Sequence, residues 1–311
     1  NKFFFIKNVF KYLDKYKNEK LIIYTRDFKQ MRLCIKALKK STQSVKFIFE
    51  VHQILSENYQ RDNESNNAKK MRRLEEYVFN NSDGLVCITS TLSSEIKRIF
   101  VKCIKTHTVL PVGFNKKFLL LNSNLSKNYD ILYTGNFSKW KGLDFLLEAI
   151  AIIKKNHQRE LSAILIGADI DSKNYYEAMA RKYGILNNIS IINRLEHKKI
   201  YKYIAESKVG VVPNTSEGDG LMYTSPLKLY EYLGSGMKVV VSKLPSIESN
   251  IDSSIVYFSE PENSESLANS ILQAIDDDSF KSAKVKKFAK SFIWELRAER
   301  FLKFCHENFI N

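Results

Sequence analysis

The sequence predicts an α/β protein made of two doubly wound units. Three observations predict it. Short runs rich in Val and Ile recur along the chain, each bounded by polar turn residues. Segments with apolar residues at helical spacing lie between those runs, and such alternation argues for parallel sheets. The 311 residues, with 44% hydrophobic content, suffice for two cores of ordinary size.

In the first half the strands fall at 21–25, 45–51, 84–89 and 107–112, with helices at 28–39, 67–80 and 92–100 between them. Residues 113–128 are polar, with several Asn, Lys and Ser, and read as a linker. A second series follows, with strands at 131–134, 163–166, 189–192, 209–212, 238–241 and 255–258. Its helices are expected near 142–155, 174–183, 196–206 and 225–234. The tail adds two helices, about 263–276 and 291–307, the last amphipathic through Phe292, Trp294, Leu296 and Phe301.

Composition narrows the function classes. No stretch approaches the ~18–20 apolar residues that span a bilayer, and the run Phe3 to Ile6 has no cleavage-site pattern. The four cysteines, Cys34, Cys87, Cys103 and Cys305, are scattered and read as reduced thiols of a cytoplasmic protein. The formal charge of +15 is spread along the chain. It has three readings: a codon bias towards Lys, Asn and Ile, attraction to an anionic membrane on its inner face, or nucleic-acid binding. The last is disfavoured because no basic-aromatic motif occurs. No His-x-x-x-His or Asp-x-Asp pair near the site signals suggests a metal; Asp169-Ile-Asp171 has the latter form but lies in a loop expected to face elsewhere.

The most informative stretch is 225–242, Ser-Pro-Leu-Lys-Leu-Tyr-Glu-Tyr-Leu-Gly-Ser-Gly-Met-Lys-Val-Val-Val-Ser. Ser225 reads as a helix N-cap and Pro226 as a first-turn residue, with Gly234 and Gly236 ending a short helix. The strand Val209 to Val212 precedes it and Val239 to Val241 follows. In such a unit the helix start faces the carboxyl edge of the sheet, where open α/β folds bind ligands. Unpaired N–H groups there suit a phosphate. Glu231 lies near the same end and can accept from hydroxyls, and the pair of functions is what a nucleotide-sugar site needs.

At these residues the chain resembles the family 4 retaining glycosyltransferases, of GT-B fold. The stretch Ser-Pro-Leu-Lys-Leu-Tyr-Glu-Tyr-Leu-Gly-Ser-Gly resembles that family's donor-binding motif, and Tyr-Thr-Gly-Asn-Phe-Ser-Lys-Trp-Lys-Gly (133–142) its other diphosphate loop. The resemblance runs over most of 20–308. It implies two Rossmann-like domains facing a cleft: a partial, acceptor-side domain at 1–127, a nucleotide-sugar domain at 128–290, and a helix at 291–311 returning to the first. Relative to that pattern about 70 opening residues of the first domain are expected to be missing, which reads as a fragment.

The resemblance assigns roles residue by residue. Gly135, Asn136, Lys139, Lys141, Leu227 and Lys228 would meet the donor diphosphate, with Asn136 where many relatives carry Arg. Glu231 would bind the ribose and Arg194 would flank the base. The partner of Glu231 in the family's paired-glutamate motif would stand at 223, which is Tyr223, so Glu217, Asp219, Tyr223 and Thr224 are the candidates for the donor sugar. His52, at the end of a strand, resembles the family histidine that contacts that sugar; Glu50 beside it receives no role. The implied activity is a metal-independent, cofactor-free retaining hexosyl transfer from a UDP- or GDP-sugar to a growing, lipid-linked bacterial surface glycan such as lipopolysaccharide or capsule. The alternative is a non-catalytic nucleotide-sugar binder, or one half of a two-component transferase. An epimerase of similar fold fits the motifs less well.

Overall fold

The structure is a computed structural model, and it describes residues 2–16, 19–38, 44–102, 106–121, 125–217 and 223–310. It divides into two compact units, one of residues up to 111 together with those from 298, the other of residues 112–297.

The first unit runs α1 (Lys2–Lys15), β1 (Leu21–Thr25), α2 (Phe28–Leu38), β2 (Val45–Val51), α3 (Leu55–Arg61), α4 (Ser65–Asn81), β3 (Gly84–Cys87), α5 (Ser90–Ile99) and β4 (Thr106–Val109). Its four strands form a parallel sheet in sequential order, with Leu21 opposite Val45 and Ile48 opposite Gly84. Val and Ile at these positions suit strands covered on both faces. Phe28, Phe49, Phe79 and Phe100 pack as a chain of rings with centroids 4.4 to 6.0 Å apart. The expected strand 84–89 stops at Cys87 because Thr89 turns to cap α5, its Oγ1 accepting from Leu92 N at 3.1 Å. The strand expected at 107–112 stops at Val109, and Pro111 removes the next ladder donor. Helix α3 was not foreseen. It is tied to α4 by Glu75, fully buried, whose carboxylate accepts from Ser56 N at 3.2 Å and from Ser56 Oγ. Burial pushes the Glu75 carboxyl above its usual range, and the Ser56 bonds only partly offset this.

The second unit contains β5 (Tyr129–Thr134), α6 (Leu143–His157), β6 (Ala163–Ala168), α7 (Ile170–Lys182), β7 (Ile189–Asn193), α8 (His197–Ala205) and β8 (Ser207–Val212). It continues with α9 (Leu227–Ser235), β9 (Lys238–Ser242), α10 (Pro245–Glu248), β10 (Tyr257–Ser259), α11 (Ser264–Asp276), α12 (Ser282–Ala289) and the start of α13 (Trp294–Cys305). The sheet order is β10-β9-β8-β5-β6-β7, all parallel. Apolar residues cover both faces: Leu146, Ile150 and Ile271 on one, Leu229, Leu233 and Ile247 on the other.

Two expectations are corrected here. The polar segment after 112 is no simple linker: Phe114 and Phe118 are fully buried, and Lys286 Nζ donates to Leu121 O at 2.9 Å. The expected tail helix begins three residues late, because Phe114 forms a parallel bridge with Ile293, accepting from Trp294 N at 3.1 Å.

Gly234 does not end α9. It lies inside the helix, which closes at Gly236 (φ 77°). A Cβ at 234 would stand 2.2 Å from the buried ring of Phe114. Gly234→Ala is therefore expected to destabilise the protein by about 1–3 kcal/mol through overpacking, measured by urea unfolding. An unchanged midpoint would show that the ring has room to move.

Candidate functional site

The order of the second sheet creates an opening. From β5 the chain moves to β6 and β7 on one side, then returns to β8 on the other. Beyond the carboxyl ends of β5 and β8 the two sets of connections diverge, leaving the crevice where open α/β sheets hold ligands. Gly135 leaves β5 with φ 136°, and its N–H donates to Ile166 O at 2.9 Å. Gly167, with φ 119°, lies against it, and a Cβ there would stand 2.2 Å from Gly135 O. A 3-10 turn, Lys139–Lys141, leads to Gly142 (φ 70°), which opens α6. Thr215 N donates to Trp140 O at 2.9 Å, joining this loop to the one after β8.

The start of α9 differs from expectation in a useful way. Pro226, extended at φ −72° and ψ 116°, is itself the N-cap, and among the described residues no side chain caps the helix. Ser225 Oγ instead accepts from Val112 N at 3.4 Å. Leu229 N donates to Pro226 O at 3.0 Å, and among the described residues nothing answers the N–H groups of Leu227 and Lys228 at the positive end of the helix dipole. The Tyr232 hydroxyl lies 2.8 Å from Thr134 N and 2.9 Å from Thr134 Oγ1, fastening the helix to the end of β5.

Lys228, one residue into α9, is only 8% exposed. Its Nζ lies 3.5 Å from the centroid of the Tyr133 ring and would stand 2.9 Å from a Cβ at Gly135. Among the described residues this ammonium has no hydrogen-bond partner. Burial drives its pKa well below the ordinary lysine value and the nearby Lys141 charge adds to the effect, while Glu231 acts the other way. A cation–π contact contributes about 0.5–2 kcal/mol, too little to replace the lost hydration of an ammonium. Two cations facing one crevice, one of them unpartnered, call for an anion. Lys141 Nζ itself lies 3.4 Å from the Trp140 ring centroid.

Glu231, one turn further along α9, is 5% exposed, and its Oε1 lies 2.7 Å from His197 Nε2. Burial pushes its carboxyl above the usual range, opposed by His197 and Lys228. The sequence reading missed His197. It opens α8 at the carboxyl edge of the sheet, and the strand-end argument that picked out His52 applies to it equally.

The family described as glycosyl transferases group 1 matches residues 121–292, more than half of the chain. The chain belongs to this family. Among curated relatives of this group 1 chain, a glycogen synthase of Mycobacterium tuberculosis is 19% identical over 213 residues, covering 68% of this chain and 50% of the relative. The chain thus spans about half the length of that curated relative. Among solved structures, a sucrose-phosphate synthase from Thermosynechococcus elongatus superposes with TM-score 0.76 at 18% identity, over 98% of this chain and 77% of the other. The Anabaena protein HepE in complex with UDP gives 0.73 at 16% identity, over 96% and 82%. These likenesses show the GT-B fold, with its two parallel sheets.

The other predicted residues of the group 1 chain spread outward from Lys228 and Glu231. Lys139 and Glu217 meet at the rim, both exposed, with Nζ to Oε2 3.9 Å. Asn136 is exposed, and its carbonyl accepts from the Tyr133 hydroxyl at 2.6 Å. Leu227, also exposed, is the first residue of α9. Tyr223 and Thr224 are buried, and Thr224 Oγ1 accepts from Asn214 Nδ2 at 3.3 Å. Arg194 is exposed on the loop that delivers His197. Asp219 lies outside the described residues. His52 belongs to the first unit, where its Nε2 lies 2.7 Å from Glu50 Oε1, so Glu50 has a partner that the sequence reading did not give it. Among the described residues no cluster of three or more His, Cys, Asp or Glu could hold a metal, and no helix is long and apolar enough to cross a membrane.

Proposed function

We propose that this group 1 chain transfers a hexose from a nucleotide diphosphate donor to a hydroxyl acceptor with retention at the anomeric carbon, as in family 4. The observation that carries the proposal is the buried Lys228 ammonium, unpartnered among the described residues, against Gly135 at the start of α9, one turn from a buried carboxylate. The diphosphate answers the cations Lys228 and Lys141 and the first-turn N–H groups, with Asn136, Leu227 and Lys139 around it. Glu231 accepts from the ribose hydroxyls, and Arg194 flanks the base. His52, Glu217, Asp219, Tyr223 and Thr224 are proposed for the sugar. That a relative of the same fold was solved with UDP supports the reading.

In this reaction the bond from the anomeric carbon to the diphosphate oxygen breaks, and the acceptor oxygen bonds to the same face. The acceptor proton passes to the leaving diphosphate, whose charge the lysines and helix-terminal N–H groups stabilise without a metal. We further propose a lipid-linked bacterial surface glycan as acceptor and the inner face of an anionic membrane as the place of work, to which the +15 charge would draw the protein. Tyr223, in place of a second glutamate, favours a second reading, a binder that does not turn over; release of nucleoside diphosphate in the presence of acceptor separates the two.

Calorimetry with UDP and GDP is the test. One of them is expected to bind, and Lys141→Ala and Glu231→Ala are each expected to weaken it by about 1.5–3 kcal/mol while leaving the melting temperature near that of the parent. Equal binding by parent and both variants would remove the assigned site.

A further inference from the structure

We propose that His197 is a positioning residue that aims the Glu231 carboxylate and thereby makes the site selective for ribonucleotide over deoxyribonucleotide donors. The inference rests on the reading of Glu231 as the ribose contact. A glutamate side chain has several staggered rotamers, and a directed contact to a ribose needs one of them held. His197 Nε2, 2.7 Å away, takes Oε1. Oε2 makes no hydrogen bond among the described residues, so one acceptor is clamped and one is left for a ligand hydroxyl.

The histidine is itself held. Its ring lies edge-on to Phe118 at 5.6 Å and to Tyr201 at 5.7 Å, and those two rings pack edge-on at 4.6 Å. Phe118 is fully buried. Backbone geometry restricts it too, since His197 is the first residue of α8. The chain of support therefore runs from a buried phenylalanine through an imidazole to a carboxylate, while half of the His197 side chain remains in solvent. A half-exposed residue adds little to the core, so its replacement should leave the fold standing. With Nε2 donating to the carboxylate, the glutamate keeps its charge on the side facing the ligand, where hydrogen bonds from two vicinal hydroxyls would be charge-assisted.

The test uses the full chain and four probes: UDP, GDP and their 2′,3′-dideoxy counterparts, titrated by calorimetry. For whichever base binds, the parent is expected to prefer the ribonucleotide by roughly ten- to a hundred-fold. His197→Phe keeps the aromatic packing and removes the donor, and should reduce that preference below about three-fold while changing dideoxynucleotide affinity by less than about two-fold. His197→Gln keeps a donor and should retain most of the preference. If the Phe variant does not fold, His197→Leu is read the same way. A parent without ribose preference, or a His197→Phe protein that keeps it, overturns this inference and leaves the nucleotide-donor reading intact. Absence of binding by all four probes to the parent overturns both.

Discussion

Lys228→Met is expected to make the unliganded protein more stable and to remove tight diphosphate binding at the same time. The parent buries an ammonium with no hydrogen-bond partner among the described residues, a penalty of about 1–3 kcal/mol for an unsatisfied group. Methionine fills a similar volume over the Tyr133 ring without it. The same substitution deletes a charge-assisted contact to the diphosphate, so affinity should fall at least ten- to a hundred-fold. The pH dependence has a definite sign. The folded-state pKa of Lys228 is depressed by burial and by Lys141, with Glu231 opposing. Between that lowered value and the ordinary lysine range the unfolded chain holds one more proton than the folded one, so stability rises with pH there. Lys228→Met should flatten that rise. In the same window diphosphate binding should take up a proton, read by calorimetry in two buffers of different ionisation enthalpy. A Met variant that is less stable and still binds would show that the ammonium is satisfied by a group other than the ligand.

Gly142→Ala should be the most damaging small substitution. Gly142 has φ 70°, and a Cβ there would stand 1.8 Å from Pro213 O, a backbone atom that cannot swing aside. Left-handed geometry costs an L-residue roughly 1–2 kcal/mol, and moving the chain after β8 adds to it. A loss of about 3 kcal/mol or more is expected, a fall in melting temperature on the order of 6–12 °C for a unit of this size. Because Trp140 O and Thr215 N are paired beside it, the Lys139–Lys141 turn should be displaced and nucleotide binding weakened too. Unaltered melting and binding would mean that the two loops are not in contact in solution.

Much of this was legible in the sequence, for stated physical reasons. The runs at 21–25 and 45–51 were read to the residue because short β-branched segments between polar turns have few alternatives. What was missed depended on partners remote in sequence. Phe114 is followed by Asn115, Lys116 and Lys117, and Phe118 heads only the short apolar run to Leu121 in a polar stretch; packing beside α9 explains the burial of both rings. Gly234 reads as a helix terminator until the Phe114 ring fills the space above it. Ser225 has the chemistry of an N-cap, but Pro226 already holds the extended position before the helix. At the site, Glu231 stood out by its apolar neighbours, whereas Lys228, assigned to the diphosphate by the resemblance, has no local signal of its burial. Its isolation follows from Gly135 and Tyr133, some 90 residues away. His197 carried a signal in its place after a strand, and only the fold shows that it meets Glu231.

The phenol of Tyr232 has a consequence for how fast a ligand can be caught and released. Its one oxygen reaches both Thr134 N and Thr134 Oγ1 and is buried at the centre of the unit. Lys228 and Glu231 ride on the same short helix, and Gly135 follows Thr134 directly. The spacing between cation, carboxylate and glycine loop is thus gauged by a single aromatic ring, as rigid as a strut. A ligand meeting such a frame has no assembly step to wait for on this side of its binding, so encounter should be governed by diffusion and charge, and differences among donors should appear in their residence times.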